Sequence, residues 1–276
     1  MRFVTYRRAG QTELGVRTSY GIVATGHPGL REYLEEGDAA VTRLARLLAS
    51  GPPVVTPDRM LSPLAERCQL ICVGGNYADH IAEAGLQVSE PVYFPKLWSA
   101  VLPPGEPLAM PEPATQLDYE VEFAVVIGRT ARRIAAADAL DHVFGYTVVN
   151  DVGARDVMAR EFLQIMLCKS ADGFLPVAEE IVTTDEVDVR GAAITCTVNG
   201  ELRQKSTLDQ MLHSVPYLLE FLTRTVTLHP GDLVTTGSPG GSGFGQSPPS
   251  FLRPGDVVTA AVAGVGSVTT TIGEPR

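Results

Sequence analysis

Residues 117–128, LDYEVEFAVVIG, set the pattern for the larger part of the chain. Polar and apolar residues alternate along this stretch, which is typical of a β-strand because successive side chains point to opposite faces. Glu120 and Glu122 are therefore predicted on one face, and the apolar residues between and after them on the other. The pattern places two carboxylates side by side on one strand.

Similar strand-like runs continue towards the end of the chain, separated by turns rich in Gly, Pro, Asn and Asp. They cover residues 143–151, 192–201, 231–237, 255–264 and 266–272. Helical patterning in this part is confined to residues 135–143, 154–167 and 208–225. Because strands and helices do not alternate regularly, we predict an α+β fold that is mainly β.

The first part of the chain has a different composition. Residues 1–66 contain a few short strand-like runs, a helical stretch at 30–50 and a proline-rich segment at 51–64. Prolines interrupt regular elements, so this segment is predicted to be a linker. We therefore expect a small N-terminal domain with its linker at 1–66 and a larger domain at 67–276.

Charge and composition restrict the classes of partner. The net charge is -10 and no run of Lys or Arg is long enough to follow a phosphate backbone, so no nucleic-acid partner is predicted. The N-terminus lacks the apolar run of a signal peptide, and no stretch suggests a membrane span, so we predict a cytoplasmic protein that binds no membrane. The four cysteines form no C-x-x-C pair and are predicted to be reduced thiols in or near the core.

Three acidic residues form a candidate metal site. Glu120 and Glu122 would repel each other on a partly buried strand unless a cation or a basic side chain lies nearby. Asp151 follows the next strong strand and could complete a group of three carboxylates. Oxygen ligands suit Mg²⁺, Mn²⁺ or Ca²⁺ better than zinc. The alternative from spacing alone is that both glutamates belong to the solvated face of an edge strand.

A second candidate group lies in residues 74–85, GGNYADHIAEAG, where a short helix is predicted between glycines. His80 and Glu83 are three residues apart and share a helix face. A carboxylate beside an imidazole fixes its tautomer and raises its basicity, which suits a general base. The alternative is an exposed pair without a role. We also expect this segment to act as a mobile lid.

Two further features concern ligand contact. Lys169 follows an apolar helical stretch, so its ammonium group is predicted either in a cavity or at the surface. The glycine-rich stretch 236–249 offers backbone N–H groups and room for a ligand. It lacks the spacing of a phosphate-binding loop or of a dinucleotide-binding fingerprint.

Six segments, in this order, resemble the catalytic domain of the fumarylacetoacetate hydrolase family over about residues 70–273. They are GNYADH, LDYEVEFAVVIG, NDVGARD, KSADGF, VNGE and PGDLVTTGSP. The resemblance implies a mixed β-sandwich roll with a small N-terminal domain, usually assembled as a homodimer.

The resemblance also implies roles for individual residues and a cofactor. The metal-binding acids correspond to Glu120, Glu122 and Asp151, with Mg²⁺ or Mn²⁺ as the expected cation and Ca²⁺ as an alternative. The catalytic residues correspond to His80, Glu83 and Lys169, and the substrate-binding residues to Arg155, Gly237 and Ser238.

The resemblance implies hydrolysis of a carbon–carbon bond in a small acylpyruvate or other 1,3-dicarbonyl oxo-acid through a metal-bound enolate. His80, oriented by Glu83, would deprotonate water, and Lys169 would stabilise the oxyanion. The same enolate serves a decarboxylase or isomerase of the oxaloacetate or hydroxymuconate type, so that alternative stays open. A further alternative is an inert scaffold stabilised by its metal. Met158 stands where the family often has Gln, which suggests a less polar or smaller substrate tail.

Overall fold

The computed structural model describes residues 1–83, 85, 89–112, 114–158 and 164–275. The strands of these residues are β1 (Arg2–Arg8), β2 (Gln11–Thr18), β3 (Gly21–Ala24), β4 (Arg59–Leu61), β5 (Leu70–Gly74), β6 (Val92–Lys96), β7 (Val101–Leu102), β8 (Leu108–Met110), β9 (Leu117–Asp118), β10 (Val121–Ile127), β11 (Val143–Asn150), β12 (Gly153–Ala154), β13 (Leu175–Pro176), β14 (Ile181–Thr183), β15 (Ala193–Val198), β16 (Glu201–Thr207), β17 (Leu233–Thr235), β18 (Val257–Val262) and β19 (Gly266–Pro275). The α-helices are α1 (Leu30–Glu36), α2 (Asp38–Ala49), α3 (Ala78–Glu83), α4 (Arg155–Met158), α5 (Ile165–Lys169) and α6 (Val215–Thr223).

Two sheets carry most of the described chain. The larger sheet has the order β3-β2-β1-β14-β11-β10-β17-β5-β6, and β4 also pairs with β1. Its neighbours are antiparallel except β17 and β5, which run parallel. The smaller sheet has the order β16-β15-β18-β19-β8. Short ladders join β9 to β12 and β7 to β13.

The core lies between these sheets. Strands β10 and β11 contact β15, β18 and β19, and one apolar cluster includes Phe123 and Val148 together with Ile194 and Val258. Both faces of β10 are buried, and its side chains are accordingly almost all apolar. The predicted mainly β, α+β fold with a sandwich core is confirmed.

The N-terminal strands continue the larger sheet, because β1 pairs with β14. Phe3 and Leu14 belong to the same apolar cluster as the sandwich core. Packing between the two parts of the chain is therefore extensive. The division into domains at 1–66 and 67–276 stays a prediction.

Several local predictions need correction. The helical stretch at 30–50 is divided into α1 and α2 by Gly37, whose φ of 65° is in the left-handed region that favours glycine. Residues 136–142 form a 3₁₀ helix. The helical prediction at 154–167 matches two short helices, α4 and α5, and residues 159–163 lie outside the described part.

Two other predictions concern the cysteines and the membrane. All four cysteines are free and buried, as predicted. In the part of the chain that the structure describes, no helix is long and apolar enough to cross a membrane.

Candidate metal and acid–base site

The acidic residues lie where two ladders meet. Strand β10 pairs with β11, and β9 pairs with β12, so the segment 119–120 and the segment 151–152 lie side by side between the two pairs. The N–H of Asp151 donates to the carbonyl oxygen of Glu120 at 2.8 Å. The N–H of Glu120 donates to Oδ1 of Asn150 at 3.0 Å. These bonds fix the two acids next to each other.

Glu120, Glu122 and Asp151 converge as the sequence predicts. One carboxylate oxygen from each lies within 4.8 Å of those of the other two. Their exposed fractions are 6%, 1% and 0%. Strand β10 is interior, between β11 and β17, so the alternative of a solvated edge strand is wrong. Glu120 itself directly precedes β10.

Two of the predicted cationic residues hold this acidic cluster. Nζ of Lys169 donates to Oε2 of Glu120 and, at 2.9 Å, to Oδ2 of Asp151. Nη2 of Arg155 donates to Oε1 of Glu120, and Nε donates to Oδ2 of Asp118 at 2.8 Å. Lys169 and Arg155 therefore share the site, and the alternative of a surface lysine is wrong.

The sequence reasoning missed Lys96, whose Nζ donates to Oδ1 of Asp151 and to the carbonyl oxygen of Val152 at 3.1 Å. This lysine ends the strand-like run VYFPK. A cation at the end of an apolar run is the signal that identified Lys169, and it would have identified Lys96 as well.

Asp118 was missed too, although it lies two residues before Glu120. It is fully buried and accepts the N–H groups of Gly243 at 2.6 Å and of Phe244 at 3.2 Å as well as Nε of Arg155. The DYEVE alternation extends the acidic face to this residue and could have indicated it. Asp118 thus connects the glycine-rich stretch to the arginine that holds Glu120.

The surroundings of the acids shift their pKa values in opposite directions. Burial raises the pKa of Glu122 well above its usual range, and the charges of Asp151 and Glu120 add to the effect. Burial also opposes ionisation of Glu120, but the charges of Lys169 and Arg155 outweigh it and lower its pKa. For Lys169, burial favours the neutral form, yet Asp151 and Glu120 raise its pKa.

The charge balance of the cluster fits a hard divalent cation. Four carboxylates, the three of the cluster and Asp118, face three cationic side chains, so the sum is one net negative charge. Among the described residues, Glu122 has a backbone N–H as its donor, that of Gly237 at 2.9 Å, and no cationic side chain. A divalent cation beside Glu122 would neutralise this carboxylate and leave the site positive, as an anionic ligand requires.

The predicted pair of His80 and Glu83 is close to the site but is not joined by a hydrogen bond. Nε2 of His80 lies 3.7 Å from Oε1 of Glu120, and its Nδ1 lies 4.0 Å from Oε2 of Glu83. Both oxygens of Glu83 instead accept the N–H of Gly241, at 2.9 and 3.0 Å. The expected orientation of His80 by Glu83 is therefore not what this structure has, because the glycine-rich stretch binds the carboxylate.

Gly237 and Ser238 lie beside the acids. Gly237 has a φ of 87°, and a Cβ there would lie 2.8 Å from Cβ of Asn76, so glycine is required. The hydroxyl oxygen of Ser238 accepts a hydrogen bond from Nε2 of Gln204 at 2.8 Å. Substrate binding by these two residues stays a prediction.

Aromatic rings lie beside the cations. The ring of Phe244 is 5.4 Å from Cζ of Arg155, and the ring of Phe94 is 5.8 Å from Nζ of Lys169. Phe244 is 42% exposed. The site therefore combines charged side chains with two aromatic rings. The less polar or smaller substrate tail inferred from Met158 stays a prediction.

Comparison with known proteins identifies the class. Residues 69–273 match the family model described as fumarylacetoacetate (FAA) hydrolase C-terminal. The match covers most of the chain, and the chain belongs to the fumarylacetoacetate hydrolase family. The resemblance inferred from six segments is confirmed.

Individual relatives differ in the activities for which they are named. A protein of Bos taurus named oxaloacetate tautomerase FAHD2B, mitochondrial, is 40% identical over 242 residues, which are 86% of this chain and 77% of the relative. The structure of a fumarylacetoacetate hydrolase from Exiguobacterium antarcticum is similar, with a TM-score of 0.85 and 34% identity over 99% of both chains. A 5-carboxymethyl-2-hydroxymuconate delta-isomerase from Mycobacterium smegmatis has a TM-score of 0.78 and 29% identity over 99% of both chains.

Proposed function

We propose that this chain is a divalent-metal-dependent isomerase that interconverts the keto and enol forms of a small 2-oxo dicarboxylate of the oxaloacetate type. This is the isomerase alternative of the sequence analysis, now preferred over the hydrolase. The name of the bovine relative, at 40% identity, supports the substrate class. The name of the isomerase from Mycobacterium smegmatis supports the reaction class.

The charge of the site supports an anionic substrate. With Mg²⁺ or Mn²⁺ bound, the cation would polarise the 2-oxo group as a Lewis acid. Glu120, Glu122 and Asp151 would hold it, and Lys96, Lys169 and Arg155 would keep the carboxylates of Glu120 and Asp151 in place. The same cations would repel no carboxylate of the substrate, so a dicarboxylate can approach.

His80 is the proposed acid–base residue. Nε2 of its imidazole lies 3.7 Å from Oε1 of Glu120, and its buried Nδ1 has no hydrogen-bond partner among the described residues. We infer that the imidazole accepts a proton from C3 of the keto form and returns a proton to the oxygen on C2, and that the enol reacts by the reverse route. The composition of the substrate is unchanged, and no water is consumed.

One observation supports isomerisation over hydrolysis. Hydrolysis requires His80 to activate water with Glu83 as its partner, whereas both oxygens of Glu83 accept the Gly241 N–H. Isomerisation requires the imidazole alone. We therefore infer that Glu83 positions the lid against the glycine-rich stretch. Decarboxylation, which shares the enolate, belongs to the same proposal as a side reaction to be measured.

The test follows the loss of the ultraviolet absorbance of enol-oxaloacetate with Mg²⁺ or Mn²⁺, beside assays for released CO₂ and for acylpyruvate cleavage. We expect faster loss of the enol than in metal-containing buffer, and His80→Ala should abolish most of this effect. Cleavage of acylpyruvates without an effect on the enol would show that the chain is a hydrolase and not the proposed isomerase. Absence of any turnover would favour the inert scaffold.

We also propose that the chain forms a homodimer. The support is that edge strand β6 exposes Val92 by 43%, and that Leu97 next to it is 49% exposed. Light scattering tests this proposal.

The net charge of -10 supports the prediction that no nucleic acid binds. The predicted cytoplasmic location stays a prediction, since the bovine relative is named mitochondrial.

A further inference from the structure

Strands β10 and β17 separate beside the metal-binding acids. Their ladder covers Ala124, Val125 and Val126 of β10, so it ends before the strand reaches Val121. After β17 the chain stays close to β10 through a side chain, because Oγ1 of Thr236 donates to the carbonyl oxygen of Phe123 at 2.8 Å. The buried N–H of Val121 lies beyond the ladder and needs a partner from another element.

A side chain of the smaller sheet supplies this partner. Gln204 of β16 is 0% exposed, and its Oε1 accepts the N–H of Val121 at 2.9 Å. Its Nε2 donates to Oγ of Ser238 and to the carbonyl oxygen of Pro239, both at 2.8 Å. The amide thus uses its acceptor on β10 and its donors on the segment 236–239, which begins the glycine-rich stretch. Gln204 spans the opening between the two.

Both ends of this span adjoin Glu122. Val121 directly precedes Glu122 in the chain, and Gly237, next to Ser238, donates its N–H to Oε2 of Glu122 at 2.9 Å. Among the described residues, no cationic side chain pairs with Glu122, in contrast to Glu120 and Asp151. The position of the Glu122 carboxylate therefore depends on neutral donors such as the Gly237 N–H, and Gln204 sets how far that donor lies from β10.

Other contacts support the segment 236–239 from a different side. Nδ2 of the fully buried Asn76 donates to the carbonyl oxygen of Thr236 at 2.8 Å and to that of His213 at 3.0 Å. A Cβ on Gly241 would collide with the carbonyl oxygen of Arg203, so β16 also contacts the glycine-rich stretch through its backbone. A variant of Gln204 is therefore expected to fold while losing the fixed distance between the segment 236–239 and β10.

We propose that Gln204 is a positioning residue of the metal site, which holds the Gly237 N–H and Glu122 at a fixed separation. The inference rests on the proposed function in one respect, namely that the three acids bind a divalent cation. Residues that orient a metal ligand through hydrogen bonds typically change metal affinity by about 10- to 100-fold when they are replaced, because the ligand loses its fixed orientation.

Calorimetric titration of the full chain with Mn²⁺ measures this effect without substrate. Gln204→Met keeps the approximate length of the side chain but removes its hydrogen bonds, and it should weaken Mn²⁺ binding by about tenfold or more. Gln204→Asn keeps an amide that is too short to reach both Val121 and Pro239, so it should weaken binding as well. Thr147→Val is the control. It removes another hydrogen bond of a buried side chain, to the carbonyl oxygen of Glu180, and should leave Mn²⁺ affinity unchanged.

Hydrogen exchange in the metal-free protein separates a local role from a general loss of stability. In Gln204→Met, the amide of Gly237 should exchange about tenfold faster or more relative to the amides of β18, because the segment 236–239 is no longer held. In Thr147→Val this ratio should not change. Unchanged Mn²⁺ affinity in both Gln204 variants, or an equal loss of affinity in Thr147→Val, would overturn this inference alone. Absence of Mn²⁺ binding by the unsubstituted chain would overturn both this inference and the metal site of the proposed function.

Discussion

Glu120 and Glu122 are two residues apart, yet their surroundings shift the pKa values of their carboxyl groups in opposite directions. Glu120 is held by Lys169 and Arg155, whereas Glu122 receives a backbone N–H from Gly237. Ionised Glu122 is thus the costly member of the cluster until a cation binds. This asymmetry leads to a prediction about the metal-free protein.

Without metal, Glu122→Gln is expected to raise the free energy of unfolding at pH 7 by about 1 to 3 kcal/mol, since an amide replaces a buried carboxylate. Because the pKa of Glu122 is raised on folding, its contribution to stability is fully present below the unfolded value of 4.5 and is lost as pH rises. The advantage of the variant should therefore shrink as pH falls towards 4.5. Urea unfolding in EDTA at several pH values measures this difference in the free energy of unfolding.

Glu120→Gln is the matched control, and its effect should have the opposite sign. It removes the carboxylate that Lys169 and Arg155 share, so it should destabilise the metal-free protein by about 3 kcal/mol or more. If both glutamine variants moved the unfolding midpoint in the same direction, the proposed division of roles between the two acids would be wrong.

His80 and Glu83 should respond differently to mutation. His80→Ala is expected to lower kcat for the enol by about 10² to 10⁴, as for a lost acid–base group, with metal affinity nearly unchanged. Glu83→Gln should have a smaller effect, because Glu83 binds Gly241 and not His80. Steady-state kinetics with calorimetric metal titration checks both variants. Equal losses of kcat would show that Glu83 orients the imidazole after all, as the sequence analysis assumed.

For single residues, the sequence predicts a position in the site only where the spacing of neighbouring residues determines it. The alternation of 117–128 is enough to put Glu120 and Glu122 together. It cannot show that Glu83 bonds to Gly241, because the two are 158 residues apart and their contact depends on how helix α3 packs against the glycine-rich stretch. Lys96 and Asp151, 55 residues apart, are a second example.

Among the helices and strands, helix α3 is the proposed lid. It has six residues, and none of them is buried, so tertiary packing gives it little support. Gly75 and Gly85 flank it with φ values of 65° and 62°, which suit glycine hinges. Gly74, the other glycine before the helix, has no positive φ and lacks this signature. Part of the predicted segment, residue 84, lies outside the described residues.

Ligand binding should therefore slow hydrogen exchange in α3. We expect oxalate with Mn²⁺ to bind the site without turnover and to protect the amides of 78–83 by about tenfold or more, if the lid closes over it. Helix α6, which is largely buried, is the internal control and should not change. Equal exchange of α3 with and without oxalate would contradict a closing lid.

The glycine-rich stretch forms a second element of the site, since it binds both Glu83 and Asp118. A Cβ on Gly243 would lie 2.1 Å from the carbonyl oxygen of Ser250 and 2.8 Å from Oδ1 of Asp118, so the backbone would have to move. Gly243→Ala is expected to misplace Arg155 and lower kcat by about tenfold or more. Gly273→Ala, whose nearest contact would be an ordinary 3.4 Å, is the control. Equal kinetics in both variants would contradict this coupling.

The sequence identified most strands but fewer helix boundaries. Strand alternation is a local property, so runs such as 143–151 and 266–272 correspond closely to β11 and β19. The helical pattern at 30–50 continued through Gly37, where the left-handed backbone separates α1 from α2. Helix ends depend on such single-residue conformations, which periodicity does not register.

For the whole molecule, sheet order determines which residues meet. The ends of β10, β11, β17 and β5 come together because β10 is antiparallel to β11 and β17, and β5 is parallel to β17. No sequence pattern states this order. The resemblance to a known family implied a mixed β-sandwich roll without giving the strand order, and the observed sheets agree with that fold.

The central claim is that this molecule enolises a 2-oxo acid with the help of a cation held by its three acids. Proton NMR of pyruvate in D₂O tests it directly, because pyruvate can exchange its C3 protons but offers no bond for the hydrolase reaction. With Mg²⁺ or Mn²⁺, the protein should replace the C3 protons by deuterium faster than metal-containing buffer does, and EDTA or Glu122→Gln should remove this acceleration. Exchange no faster than in the buffer, with metal binding verified by calorimetry, would contradict the account.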